Sequence, residues 1–183
     1  MKAVLEWLFG LISGLLNWFM RPPKGFQRRL GLQERFYADC HEIGQFNTGM
    51  VVFVSTDAPL TREHLHSATK RLMMRHPLLR MRVAHNGAER YWQEMDDVTP
   101  DVRVQETNDW NAVFEDTVLE RYHLNTGPLW RVTLLPDVTS EFSDNDFKHH
   151  AALVFGFSHS IIDGQGELKT REPKTKPHCL LLC

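Results

Sequence analysis

The sequence predicts a mixed α/β fold, an α+β arrangement rather than a regular alternation of strand and crossover helix. Three observations carry this. Runs rich in β-branched and aromatic residues recur at residues 46–55, 129–135 and 150–157. Two stretches between them space their apolar residues helically, each opened by a residue able to cap a helix. Asn86-Gly87 separates two shorter strand-like runs, which is a hairpin signal.

In chain order, residues 3–20 are almost wholly apolar. Glu6, Gly10, Ser13, Gly14 and Asn17 interrupt them at spacings of three and four, so the polar positions share one narrow helical face. Trp7, Phe9, Trp18 and Phe19 fall on the wide remainder, and Arg21 with Pro22-Pro23 ends the helix. A cleavable signal peptide is disfavoured, because only Lys2 is basic and no Ala-x-Ala follows. A spanning helix would be of about minimum length. A helix lying in the membrane interface suits the thin polar stripe and the following Arg21, Lys24, Arg28 and Arg29. A helix packed on its own domain is the remaining reading. The preferred expectation is a membrane-associating helix at 1–21, monotopic or single-pass, with the domain on the cytosolic side.

Residues 22–30 read as a linker. Phe46 to Ser55 reads as a central strand. Thr61 to Arg75 is a helix, with Leu65, Ala68, Leu72 and Met73 at helical spacing, Thr61 as cap and Pro77 as stop. Leu79 to Ala84 and Arg90 to Glu94 are the hairpin strands. Asp109 to His123 is the second helix, capped by Asp109, with Trp110, Val113, Phe114, Val118 and Leu119 on one face. Leu129 to Leu135 and His150 to Phe157 are strands around a polar loop at 140–148.

The bulk numbers narrow the function classes. At 183 residues the chain suits one domain with a sizeable core. A net charge of −2, with no basic stripe interleaved with aromatics, argues against nucleic acid as a partner. Cys40, Cys179 and Cys183 are too scattered for a disulfide framework, and no Cys-x-x-Cys pair supports a zinc site, so no metal is expected.

The chemistry-bearing stretch is Leu153 to Gly164. An apolar run of buried-strand composition empties into a polar turn carrying His159, Asp163 and Gly164 in the pattern His-x-x-x-Asp-Gly. A strand end can hold an imidazole rigidly while the turn leaves it open, and histidine is suited to proton transfer near neutral pH. Two upstream segments accompany it: Arg75-His76-Pro77-Leu78-Leu79-Arg80 and Gly127-Pro128-Leu129-Trp130-Arg131. Leu32-Gln33-Glu34-Arg35 is a weaker third.

In this combination and order, residues 31–168 resemble the chloramphenicol-acetyltransferase-like superfamily, which includes peptide-synthetase condensation domains and alcohol and wax-ester-type acyltransferases. The resemblance implies one lobe of a two-lobe fold, and His159 as the base that deprotonates an alcohol or amine attacking a thioester. It makes Asp163 a structural aspartate paired with an arginine, Arg80 in first place and Arg131 in second, and Gly164 the residue that permits the turn. Acyl-CoA or a phosphopantetheine thioester is the implied co-substrate, with no tightly bound cofactor. Ser158 stands where condensation domains usually carry a second histidine. That favours O-acyl transfer, with a lipid-like acceptor or donor suggested by the amino terminus. An amide-forming condensation-type domain and a non-catalytic membrane-tethered binding or regulatory fragment are the alternatives.

After Leu168 the family pattern stops. Residues 169–183 are charged and proline-broken and read as a disordered tail. The chain therefore reads as an amino-terminal lobe cut short, with little activity expected alone and self-association expected through an exposed inner face.

Overall fold

The computed structural model describes residues 27–44, 46–139, 143, 146–162 and 178–182. The larger of two sheets orders its strands β5 (Val102–Val104), β6 (Trp130–Pro136), β7 (His149–Ser158), β2 (Asn47–Thr56) and β8 (His178–Leu182). Only β5 and β6 run parallel; the other pairs are antiparallel. The smaller sheet orders β1 (Arg28–Arg29), β4 (Glu89–Glu94) and β3 (Met81–Asn86). Three helices accompany them among the described residues: α1 (Leu32–Gly44), α2 (Arg62–Arg75) and α3 (Trp110–Leu119).

The mixed α/β class follows from burial. Six consecutive residues of β6, Trp130 to Leu135, are buried, so a near-continuous apolar run fits a strand covered on both faces. Its alternate side chains enter different cores. Val132 and Leu134 join Leu65 and Met73 of α2, whereas Leu135 joins Val51, Val154 and Val113. A third cluster, of Val83, Trp92, Ala38 and Leu129, ties the small sheet to α1.

Helix α3 lies against β2 and β7 at Gly49 and Gly156, which are Cα partners in the ladder. A Cβ at Gly49 would stand 2.8 Å from Phe114 Cε2 and Val118 Cγ1, and one at Gly156 would stand 2.5 Å from Thr117 Cγ2. Paired glycines are thus the notch in which this helix rests.

The caps behave as local chemistry requires. The Thr61 hydroxyl accepts from the His64 amide at 3.3 Å, and the Asp109 carboxylate from the Ala112 amide at 3.0 Å. Helix α3 stops at Leu119, short of the expected His123. There the Asn47 side-chain amide donates to the Val118 and Glu120 carbonyls at 2.9 and 3.1 Å, giving partners to groups the helix end leaves open. The hairpin turn is Gly87-Ala88, one residue beyond the expected dipeptide. Asn86 pairs with Glu89, and Gly87 takes the positive φ of 60° that the first turn position demands.

Helix α1 and strand β5 were not expected from sequence, and two segments expected to be irregular form strands. Arg28 and Arg29, placed in the linker at 22–30, pair with Trp92 and Tyr91 as a short edge strand. His178–Leu182, placed in the disordered tail at 169–183, pairs antiparallel with β2 from Phe53 to Gly49. Its Cys179-Leu180-Leu181-Leu182 run has strand composition, and β2 otherwise presents an unpaired backbone edge. The amino-terminal helix expected at 1–21 lies outside the described residues. Among the described residues, no helix is long and apolar enough to cross a membrane.

Candidate functional site

Strand β7 ends where three backbone hydrogen bonds fix the exit of the chain. The Ser158 amide donates to Leu129 O at 2.8 Å, His159 N to Phe46 O at 3.1 Å, and Ile161 N to Ser158 O at 3.1 Å. The Ser158 and Ser160 side chains turn inward, both buried, and their hydroxyls share a 2.9 Å hydrogen bond. His159, between them, faces the other way. Alternation along the strand end therefore extrudes the imidazole while satisfying both serines.

The imidazole stacks against two aromatic rings. Its centroid lies 4.2 Å from that of Tyr37 on α1 and 5.0 Å from that of Phe46, which leads into β2. Nδ1 is sealed from solvent, whereas the residue as a whole is half-buried and lines a cavity of about 300 Å³. Nε2 is thus the nitrogen a substrate can reach. Gln33, Glu34 and Tyr37 of α1 form one wall, and Leu78, Ile161 and Ile162 supply the apolar part.

Glu34 is not a second base here. Its carboxylate accepts a two-pronged hydrogen bond from Arg28 at 2.7 and 2.6 Å, and another from the Gly31 amide at 2.6 Å. The last is half of a capping box at the start of α1. Burial pushes the Glu34 carboxyl up, but the Arg28 fork and the Gly31 amide together outweigh it and hold the group below the usual carboxylate range.

The other expected site residues lie as follows. Asp163 and Gly164 are outside the described residues. The Arg80 guanidinium donates to Met73 O at 2.6 Å, to Met74 O at 3.2 Å and to Glu94 at 2.8 Å, so it closes the carboxyl end of α2. Arg131 is 5% exposed, with its guanidinium over the Tyr122 ring at 4.1 Å, paired to Glu120 and 3.8 Å from Asp101. Burial pushes the Tyr122 phenol up. Arg103 forks onto Glu120 at 2.6 and 3.0 Å, and holds that carboxyl below its usual range with help from Arg131. Arg131 is therefore a sheet-embedded cation with its own carboxylates. Tyr37 and Phe46 were not singled out in the sequence. The segment Leu32-Gln33-Glu34-Arg35, noted only for its resemblance, falls at the start of α1, and Tyr37 stands one helical turn beyond Gln33.

Solved structures share this architecture. A variant of the starter condensation domain of rhizomide synthetase RzmA, in complex with C8-CoA, matches with a TM-score of 0.56 at 10% identity, over 72% of this chain and 30% of that one. Holo-AB3403, a four-domain nonribosomal peptide synthetase bound to AMP and glycine, matches at 0.53 and 17%, over 77% and 11%. The condensation domain of the Monacolin K polyketide synthase MokA matches at 0.51 and 17%, over 71% and 29%. The fold is that of a condensation domain, in part. The chain spans about a third or less of the length of these structures, and at such identities the likeness is one of fold. No protein-family model matches the sequence, and no curated protein does.

Proposed function

We propose that this chain carries the base-bearing part of an acyltransferase of the condensation type, moving an acyl group from a CoA or carrier-bound thioester to an alcohol. The observation that supports it most is the placement of His159. Its ring is held by stacked aromatics at a strand end, with Nδ1 sealed and Nε2 open to a cavity. In the proposed reaction, Nε2 takes the proton of the acceptor hydroxyl as that oxygen bonds to the thioester carbon. The carbonyl π pair moves onto oxygen. When the tetrahedral species collapses, the C–S bond breaks and the thiolate takes the proton back from the imidazolium, so the base is restored.

An alcohol acceptor is favoured because Ser158 is turned inward and fully buried, so no second polar group from that position reaches the acceptor. The apolar wall of Leu78, Ile161 and Ile162 suits an acceptor or acyl chain with little polarity. Residues 3–20 are proposed to bring the chain to a membrane, where such substrates concentrate.

The test is thiol release from acyl-CoA by purified protein, followed under single-turnover conditions with a panel of alcohols and amines. Little activity is expected of this chain alone, so the expected result is slow release, stimulated by alcohols and lowered in His159→Ala with donor binding retained. In a form that carries the opposing lobe, the same variant should lose about two to four orders of magnitude. Equal release by the variant would remove His159 from the mechanism, and stimulation by amines alone would replace ester formation with amide formation.

A further inference from the structure

Among the described residues, the proton of the Tyr37 hydroxyl, opposite the imidazole, meets no protein acceptor. Gln33, one helical turn earlier on α1, donates from Nε2 to Tyr37 Oη at 3.1 Å, so the phenol oxygen already serves as acceptor. The carboxylate on the same wall is engaged. Glu34 Oε1 takes Arg28 Nη2, and Oε2 takes both Arg28 Nη1 and the Gly31 amide. Among the described residues, no hydrogen bond from the Tyr37 hydroxyl to a protein acceptor is formed. Its donor is left for whatever enters the cavity that Tyr37 lines together with His159.

The ring that carries this donor is well fixed. It stacks on the imidazole at 4.2 Å and on Phe46 at 5.5 Å, nearly parallel to the latter at 10°. Its helix is anchored by the fully buried Ala38 and by His41, whose Nε2 donates to Tyr122 O at 2.8 Å. A donor set in advance beside a base is the arrangement that stabilises charge appearing on a carbonyl oxygen during acyl transfer.

We propose that Tyr37 donates a hydrogen bond to the thioester carbonyl oxygen of the acyl donor, and that Gln33 is the positioning residue that turns the phenol proton toward it. The proposal rests on the acyl-transfer reading above. The bond strengthens as the carbonyl π pair moves onto oxygen, so Tyr37 contributes most at the tetrahedral stage. Removing one donor of this kind lowers turnover by about a hundredfold to a thousandfold.

Isotope-edited infrared spectroscopy tests this directly, with acetyl-CoA carrying ¹³C at its carbonyl as the probe and the full chain as the protein. In Tyr37→Phe the aromatic stack remains and only the hydroxyl is gone. The expected result is a bound carbonyl band at lower frequency in the wild type than in Tyr37→Phe, with Gln33→Leu between them. The single-turnover rate of thiol release should fall in the same order. Probe bound equally by wild type and Tyr37→Phe, with identical bands, would overturn the role of Tyr37 and leave the acyl-transfer reading standing. No binding of acetyl-CoA by folded wild-type chain would overturn both. Circular dichroism of each variant confirms that the comparison is made on folded protein.

Discussion

Replacing Glu120 by alanine isolates what the buried Arg131 demands of its neighbours. In the native arrangement Arg131 and Arg103 face Glu120 and Asp101, so two cations meet two carboxylates. Removing Glu120 leaves a guanidinium whose side chain is 6% exposed, with one carboxylate oxygen 3.8 Å from Nε and a ring face beneath it. Stripping the partner from a fully buried ion costs about 3–5 kcal/mol. The Glu120 side chain is 43% exposed, however, so water can enter the vacated space. Halving the figure for that access gives about 2 kcal/mol. For a chain of this size that is a fall in Tm of about 4–8 °C. Urea denaturation followed by tryptophan fluorescence reads it. Arg103→Ala is the control: it removes the other cation from the same carboxylate, but from an exposed position, and should cost under about 1 kcal/mol. A Glu120→Ala loss no greater than that of Arg103→Ala would refute the reasoning and make Arg131 self-sufficient.

Acid should act on the same group. The Glu120 pKa is held below its ordinary value of 4.5, first by the Arg103 hydrogen bond. Its contribution is therefore complete above that value and is lost as pH falls through the folded-state pKa. The stability gap between wild type and Glu120→Ala should narrow below about pH 4.5, and a gap unchanged down to pH 3 would exclude Glu120 as its source. Gly156→Ala would set a methyl 2.5 Å from Thr117 Cγ2 on α3 and 2.7 Å from Tyr122 Oη, and this overpacking should cost about 1–3 kcal/mol in the same denaturation assay; an unchanged midpoint would mean α3 is free to shift. Liposome flotation tests the proposed role of residues 3–20. The full chain should rise with the vesicles and a chain beginning at Pro22 should not, whereas full-length protein staying in the aqueous fraction would refute membrane association.

Elements with an unambiguous local signal were legible from sequence. Thr61 and Asp109 cap as expected because Ser, Thr, Asp and Asn at those positions have few competing roles. The strand at Asn47–Thr56 emerges from its β-branched and aromatic composition, and that at His149–Ser158 from its apolar run. Helix α1 was not legible, since it buries only Ala38 and His41 while leaving Leu32 90% and Ile43 87% exposed. An amphipathic pattern cannot be read when its apolar residues lie outside. Strand β5 is three residues long and gives no periodicity to count. At the site, His159 was visible as the polar end of an apolar run, but its aromatic neighbours were not. Tyr37 and Phe46 meet it only because long-range pairing sets β2 beside β7, and a side chain's stacking partner leaves no mark in its own neighbourhood of sequence.

That pairing bears on the order in which the molecule opens. The ladder between β2 and β7 runs for ten rungs, from Thr56 opposite His149 to Asn47 opposite Ser158, and the bond from His159 N to Phe46 O is the next one out. The imidazole and one of its stacking rings thus sit on the terminal rung of a zipper. Strand ends fray at far smaller free-energy cost than strand centres. The amide of His159 should exchange with solvent deuterium well before those of Met50 and Phe155, which pair in the middle of the ladder. Each such excursion parts Phe46 from the imidazole while the middle of the ladder remains closed, which places the site at one of the ends where this sheet opens first.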